Sequence, residues 1–139
     1  MVFEHKAQKQ GVGLSVAAVE PLPEILADDA RLMQVMDNLL GNALRYTSPG
    51  GKIQLSVQPA HGKLVITVKD TGSGIAAEEL PFIFDRFYRA DPSRHSDTGE
   101  SGLGLAIVKA LVEAQGGLVW AESGQGQGTS IHLEFPVVK

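Results

Sequence analysis

A long run of apolar residues at helical spacing constrains this chain more than any other feature. The pattern repeats every three or four positions from Leu32 to Tyr46, which indicates a helix that buries one face. Asp28 or Asp29 precedes the run and can act as its N-cap, because a short carboxylate accepts hydrogen bonds from the free N–H groups of a first turn. The sequence therefore predicts an amphipathic helix that needs a second layer to cover its apolar face.

Alternating apolar residues predict strands that can supply this layer. The other predicted elements are a strand at 12–19, a turn at 48–51, strands at 53–57 and 64–68 joined by a turn at 59–62, a loop at 71–101 with one short helix near 78–82, a helix at 105–114, and strands at 118–122 and 131–137. Helices and adjacent hairpins in this order predict an α/β fold, a two-layer sandwich with a largely antiparallel sheet on one side.

Composition excludes several classes of protein. The 139 residues include 12 basic and 16 acidic side chains, for a formal net charge of −4, and they contain no basic run. Nucleic acid or anionic lipid is therefore not expected as the main partner. The lack of cysteine excludes a disulfide scaffold and a thiolate metal site. No apolar stretch approaches the roughly 18 residues of a membrane span, and the charged opening is unlike a signal peptide. The domain is expected to be cytoplasmic.

The long helix carries a polar stripe. Asn38 and Asn42 are four residues apart, Arg45 follows three further on, and Tyr46 lies beside it. Residues at these spacings share one helix face, so two amides and a cation align. A solvated polar face is the simpler interpretation of this stripe alone.

Two glycine-rich segments follow predicted elements of regular structure. Asp70 ends a strand and precedes Gly72 and Gly74, whose lack of a Cβ permits close approach to a ligand. Residues 98–105 run into a helix, where backbone N–H groups can bind phosphate. A plain turn and a flexible linker are the alternatives. The lysine-bearing phosphate-loop pattern is absent.

A compact aromatic segment lies in the predicted loop. Residues 82–89 contain four aromatic side chains together with Arg86 and Arg89. Phe84 and Phe87 are expected to anchor a mobile loop. The two arginines are then available to phosphate oxygens or to a partner.

In this order and spacing, these segments resemble the ATP-binding catalytic domain of sensor histidine kinases, within the superfamily that includes gyrase and MutL. The matching segments are an asparagine box at Asp37–Thr47, a first glycine box at Asp70–Ile75, an aromatic box at Phe84–Arg89, a second glycine box at Gly102–Leu105 and a last glycine turn at Gly126–Thr129. The resemblance implies a Bergerat-type fold, in which a mixed, mostly antiparallel sheet packs on about three helices. It implies a catalytic domain at 12–139 with a flexible lid at about 85–103, and it makes residues 1–11 the end of a linker from an upstream helical domain.

The resemblance also implies how the purine is bound. Asp70 would accept a hydrogen bond from the adenine amino group, and Thr129 would support it through water. Gly72, Gly74 and Ile75 would line the same part of the cofactor site.

The asparagine box is implied to hold the metal. Asn42 would place its amide oxygen on Mg²⁺, which suits hard oxygen ligands, and Asn38 would lie beside it with a catalytic role. Arg45 and Tyr46 would contact phosphate and nucleoside, although a lysine is usual at the position of Arg45. The ATP-hydrolysing branch has a glutamate where this chain has Asn38, so slow hydrolysis and transfer to a protein are expected.

The lid is implied to bind the phosphates. Its cofactor-binding residues are Gly102, Leu103, Gly104 and Leu105. Arg89 and Arg86 would address the γ-phosphate during transfer. Glu100 stands where a glycine is frequent, which would stiffen the lid and bring a negative charge near the phosphates.

The implied function is binding of Mg²⁺-ATP and transfer of its γ-phosphate to a histidine on the dimerisation domain of a parent sensor kinase, with a response regulator as an indirect partner. None of the four histidines here has the neighbours of such an acceptor, so this domain is not expected to phosphorylate itself. We expect a monomer that touches neither nucleic acid nor membrane, from a parent anchored in the inner membrane. The alternatives are a serine kinase of the anti-sigma-factor type and a non-catalytic, nucleotide-free docking module.

Overall fold

Five strands and three α-helices make up the part of the chain that the computed structural model describes, residues 2–18, 24–25, 27–72, 74–75, 77–85, 104–124 and 127–137. In chain order they are α1 (Val2–Gln10), β1 (Gly13–Ala18), α2 (Asp29–Tyr46), β2 (Lys52–Ala60), β3 (Lys63–Asp70), α3 (Gly104–Ala114), β4 (Leu118–Ser123) and β5 (Thr129–Pro136), with a 3₁₀ turn at Leu80–Phe82 before α3.

The strands form one mixed sheet in the order β1-β2-β3-β5-β4. β1 and β2 are parallel, because α2 carries the chain back between them, and the other three pairs are antiparallel. The predicted fold class, a mostly antiparallel mixed sheet layered against about three helices, is therefore confirmed.

The core lies between the sheet and the pair α2 and α3. Inward-facing side chains alternate along the strands, so that Val68 of β3 is paired with Ile131 of β5 and both are buried. From the helices, Val35, Leu39 and Val108 meet them and are at most 2% exposed. Each such side chain contributes about 1.5–3 kcal/mol of hydrophobic free energy.

The structure refines several predicted boundaries. Asp28, rather than Asp29, is the N-cap of α2, and its Oδ1 accepts from the backbone N–H of Arg31 at 3.0 Å. The turn predicted at 59–62 is shorter, because β2 runs to Ala60 and the turn itself consists of His61 and Gly62, which both adopt positive φ. Pro59 is tolerated because β1 pairs with β2 only as far as Val57, which leaves that part of β2 at the sheet edge.

Candidate functional site

The second half of α2 carries the predicted polar stripe. Asn38 and Asn42 are partly buried, Arg45 is exposed, and Tyr46 is the last helical residue. Nδ2 of Asn38 is buried and has no hydrogen-bond partner among the described residues. A buried amide donor without a partner is costly, so this atom is suited to a ligand or a water molecule.

Asp70 is the buried carboxylate of the site. It ends β3 and is only 7% exposed. Oδ1 accepts a hydrogen bond from the backbone N–H of Gly72 at 2.8 Å. Burial raises the pKa of Asp70, and the backbone N–H groups of Gly72 and Thr129 offset part of that rise. Because a carboxylate can accept about four hydrogen bonds and only the N–H groups of Gly72 and Thr129 are seen to donate to it among the described residues, it keeps acceptor capacity for an N–H donor.

Thr129 and Ser123 continue a row that begins at Asp70. Asp70 is paired with Thr129 across β3 and β5, and Thr129 is paired with Ser123 across β5 and β4. Paired residues point to the same face, here the face that packs on the helices. Sequence reasoning missed Ser123. The one sequence signal for Ser123 is the alternation of inward- and outward-facing residues along β4, in which Ser123 takes an inward position.

Close glycine contacts join this row to α2. A Cβ on Gly72 would lie 2.5 Å from the carbonyl oxygen of Tyr46. Gly128 has φ +81°, and a Cβ there would overlap the carbonyl of Asp70. Only glycine permits both approaches. As a result, the loop after Asp70 lies against the last turn of α2, and Asn42 lies one helical turn, about 6 Å, before Tyr46.

Arg45 lines a different part of the surface. An open cleft of about 690 Å³ separates α1 from α2 and is lined by Arg45, Lys6 and Lys9, among others. Neither Asn42 nor Asp70 lines this cleft. The helical spacing that groups Arg45 with the two asparagines therefore does not by itself bring it into the row beside Asp70.

The remaining predicted residues fall into two groups. Gly74 has φ +78°, the N–H of Ile75 donates to Ser123, Gly104 begins α3, and Leu105 and Phe84 pack on the core. The predictions that lie outside the described residues concern Arg86, Arg89, Glu100, Gly102, Leu103, Gly126 and the lid between 86 and 103. Within the described ranges, no group of three or more histidine or acidic side chains could hold a metal.

The helices of the described ranges are all too short or too polar to cross a membrane.

Comparison with known proteins identifies the family. Residues 27–139 match the family described as histidine kinase-, DNA gyrase B- and HSP90-like ATPases. The chain is 43% identical over 111 residues to the sensor histidine kinase WalK of Bacillus subtilis (strain 168), which covers 78% of this chain and 18% of that protein. It thus spans about a fifth of the length of that relative.

Solved structures agree with this match. The nucleotide-free catalytic domain of histidine kinase ThkA superposes with a TM-score of 0.83 at 28% identity, covering 98% of this chain and 86% of that one. Full-length ShkA in complex with AMPPNP superposes with a TM-score of 0.86 at 34% identity, covering 99% of this chain and 28% of that one.

The chain therefore belongs to the family of histidine kinase-, DNA gyrase B- and HSP90-like ATPases. Its similarity to sensor histidine kinases and to their catalytic domains confirms the resemblance drawn from the sequence boxes.

Proposed function

We propose that this chain is the ATP-binding catalytic domain of a sensor kinase, which binds Mg²⁺-ATP and transfers the γ-phosphate to a histidine on the dimerisation domain of the parent protein. The observation that carries the proposal is the buried carboxylate of Asp70, which keeps acceptor capacity beside the end of α2. ShkA, at 34% identity, is known in complex with the ATP analogue AMPPNP, which supports a nucleotide as the ligand.

The purine of the ligand is assigned to the row of paired residues that begins at Asp70 on β3 and continues to Thr129 on β5. Asp70 accepts the hydrogen bond of the adenine amino group with the acceptor capacity that the N–H groups of Gly72 and Thr129 leave. Thr129 supports the same edge through its hydroxyl. Gly72, Gly74 and Ile75 line this part of the pocket, where the positive φ of Gly74 allows the backbone to approach the base.

The metal end is assigned to α2. Asn42 offers a neutral amide oxygen on a partly buried helix face, a donor type that fits Mg²⁺ because this ion takes few protein ligands and retains water and phosphate oxygens. When bound, Mg²⁺ neutralises charge that develops on the phosphates. Nδ2 of Asn38, which has no partner among the residues that the structure describes, is a donor to a phosphate oxygen or a water molecule there. Tyr46 is assigned to the nucleoside and Arg45 to a phosphate.

Phosphate transfer is assigned to the segments before and at the start of α3. Arg89 and Arg86 stabilise the transferring group, while Gly102, Leu103, Gly104 and Leu105 bind the phosphates at the helix N-terminus. Asn38 cannot act as a base toward water, so transfer to the histidine partner is favoured over hydrolysis. A response regulator then receives the phosphate from that histidine. The lid at 85–103, the linker at 1–11 and a membrane-anchored parent belong to the same proposal.

A thermal melt with and without Mg²⁺-ATP tests the binding step. A ligand at 100 times its dissociation constant stabilises the folded chain by about 2.7 kcal/mol. Asp70→Ala should weaken ATP binding by about ten- to a hundredfold, because it removes a charge-assisted hydrogen bond. If the melting midpoint of the native chain does not move, the non-catalytic docking module is the better explanation.

Asn42 variants test the metal assignment. Asn42→Ala should weaken binding of Mg²⁺-ATP much more than binding of metal-free ATP, and Asn42→Asp should change the dependence on Mg²⁺ concentration. Titration of each variant with ATP, with Mg²⁺ and with a chelator, measures both effects. Equal losses in the two conditions would place Asn42 away from the metal.

A mixing experiment tests the transfer step. The 139-residue chain is incubated with labelled ATP and a separately made histidine-bearing hairpin of a sensor kinase. Acid-labile label on the hairpin histidine is the expected result. Label on a serine of an anti-anti-sigma protein, and none on the hairpin, would instead favour the serine kinase.

A further inference from the structure

Ser123 connects three segments of the candidate site through one hydroxyl group. The backbone N–H of Ile75 lies 2.6 Å from its Oγ, the carbonyl oxygen of Gly128 lies at 2.8 Å, and the hydroxyl of Thr129 lies at 3.0 Å. These partners come from the first glycine box, the β4–β5 turn and the start of β5. The hydroxyl therefore joins three of the segments that lie around Asp70.

The chemistry of the three partners decides which way each hydrogen bond runs. A hydroxyl has one proton to donate and two lone pairs to accept with. The carbonyl of Gly128 can only accept, so Ser123 donates to it, and the N–H of Ile75 can only donate, so Ser123 accepts from it. One lone pair of Ser123 is left for Thr129. The contact at 3.0 Å is satisfied only if Thr129 donates its proton to Ser123.

The direction of the Thr129 hydrogen bond determines which groups the pocket offers to a ligand. Once the proton of Thr129 points to Ser123, the threonine oxygen offers only lone pairs toward Asp70 and the space beside it. The ionised carboxylate of Asp70 is also an acceptor. Two neighbouring acceptors favour a ligand edge that carries N–H donors and oppose an edge that carries a carbonyl oxygen.

We propose that Ser123 is a positioning residue for purine selection: by accepting the proton of Thr129, it keeps the Thr129 hydroxyl an acceptor and so favours a purine with a 6-amino group over one with a 6-carbonyl. This inference rests on the proposed function, since it assumes that the row from Asp70 to Ser123 binds the base. It adds a residue outside the recognised sequence boxes, which reinforces through Thr129 the recognition of the amino group by Asp70.

The test compares the affinities of ATP and inosine triphosphate, which differ at the 6-position, in the presence of Mg²⁺ by titration calorimetry. In Ser123→Ala the hydroxyl of Thr129 is free to rotate and donate to the 6-carbonyl, so the preference for ATP should fall by about tenfold. Ser123→Thr keeps a hydroxyl and should retain the native preference. Ser130→Ala is the matched control, because Ser130 is the next residue of β5 and points to the opposite face.

Two further variants separate positioning from simple structural support. In a Thr129→Val background, Ser123→Ala should not change the preference further, because no hydroxyl remains to be oriented. If Ser123→Ala does not fold, Ser123→Cys, which keeps the size but is a weak donor and acceptor, should show the same fall in preference.

The outcomes are distinguishable. If Ser123→Ala weakens ATP and inosine triphosphate by the same factor, or if it lowers the preference equally in the Thr129→Val background, Ser123 only supports the loops and the inference is wrong. If the native chain binds neither nucleotide, the proposed function fails, and the inference fails with it.

Discussion

Single residues at the candidate site are constrained by their neighbours more than by their own conformational preferences. Gly128 has φ +81°, and a Cβ on it would overlap the carbonyl of Asp70, whereas Gly50 has φ +89° and open space around the same position. Both glycines have a positive φ, which disfavours any residue with a Cβ. Of the two, only Gly128 also lacks the space for a Cβ. Comparing them separates a turn glycine from a packing glycine.

The glycine pair gives a prediction for stability. Gly50→Ala should lower the free energy of unfolding by about 1 kcal/mol, the cost of a left-handed backbone with a Cβ. Gly128→Ala should lower it by about 3 kcal/mol, because overpacking against Asp70 adds to that cost. Urea unfolding of the two variants measures both values. Equal losses would show that the loop moves away from Asp70 without penalty.

Asp70 gives a prediction for pH dependence. Burial raises its pKa above the ordinary value of 3.8, although the N–H groups of Gly72 and Thr129 oppose the rise. The folded chain therefore binds the proton more tightly than the unfolded chain does. The contribution of Asp70 to the free energy of unfolding is then fully present below pH 3.8 and is lost as the pH rises through its folded-state pKa.

Asp70→Asn removes this titration. The free energy of unfolding of the variant, minus that of the native chain, should rise with pH across this window and become constant above it. Urea unfolding of both chains at a series of pH values measures the difference, in which the contributions of the other carboxylates cancel. A difference that stays constant or falls with pH would show that the pKa of Asp70 is not raised.

At the scale of elements, hydrogen bonds hold the start of α2 in place, just as the contact with Gly72 holds its end at the candidate site. The Asp28 side chain caps the helix through the N–H of Arg31, and the backbone N–H of Asp28 donates to Oε1 of Gln115 at 2.7 Å. Gln115 follows α3, and its Nε2 donates to the carbonyl of Leu111 at 3.0 Å. The start of α2 is thereby joined to the end of α3, and the two helices that cover the sheet act as one layer.

The cap gives a prediction for α2. Asp28→Ala should lower the free energy of unfolding by about 1 kcal/mol, because it leaves an N–H of the first turn without its side-chain acceptor. Asp37→Ala removes an acidic side chain from an exposed position within the same helix and should change stability by less than about 0.5 kcal/mol. Thermal or urea unfolding measures both. A similar loss in the two variants would attribute the effect to charge and not to capping.

At the scale of the molecule, α1 belongs to the same core as the sheet. Ala7 is 1% exposed, and the N–H of Val12 donates to its carbonyl at 2.9 Å. The N–H of Gly50 donates to the carbonyl of Gly11, and the N–H of Gly13 donates to that of Gly51. These bonds fasten the junction of α1 and β1 to the turn that follows α2.

Substitution at α1 tests this packing. Ala7→Asp should lower the free energy of unfolding by about 3 kcal/mol or more, because it buries a carboxylate without a partner. Gln8→Asp places the same group at an exposed position of the same helix and should have little effect. Urea unfolding compares them. Equal stability of the two variants would show that α1 is not part of the cooperative core.

The limits of prediction from sequence are visible in particular residues. The strand end at Asp70 was predicted, and the N-cap of α2 was predicted as Asp28 or Asp29, because periodicity and capping act between near neighbours. The packing of Ala7 was not, because α1 is short and polar and its burial depends on elements far along the chain. The inward position of Ser123 is readable from strand alternation, but its three partners are not.

From β1 onward, the sequence by itself determined the order of the elements, and it determined the family, because these depend on local patterns and on motifs in a fixed order. Only the tertiary structure decided which residues meet. It set Asp70, Thr129 and Ser123 in one row and brought Gly72 against Tyr46, because strand register and close packing are fixed between segments that the sequence keeps far apart.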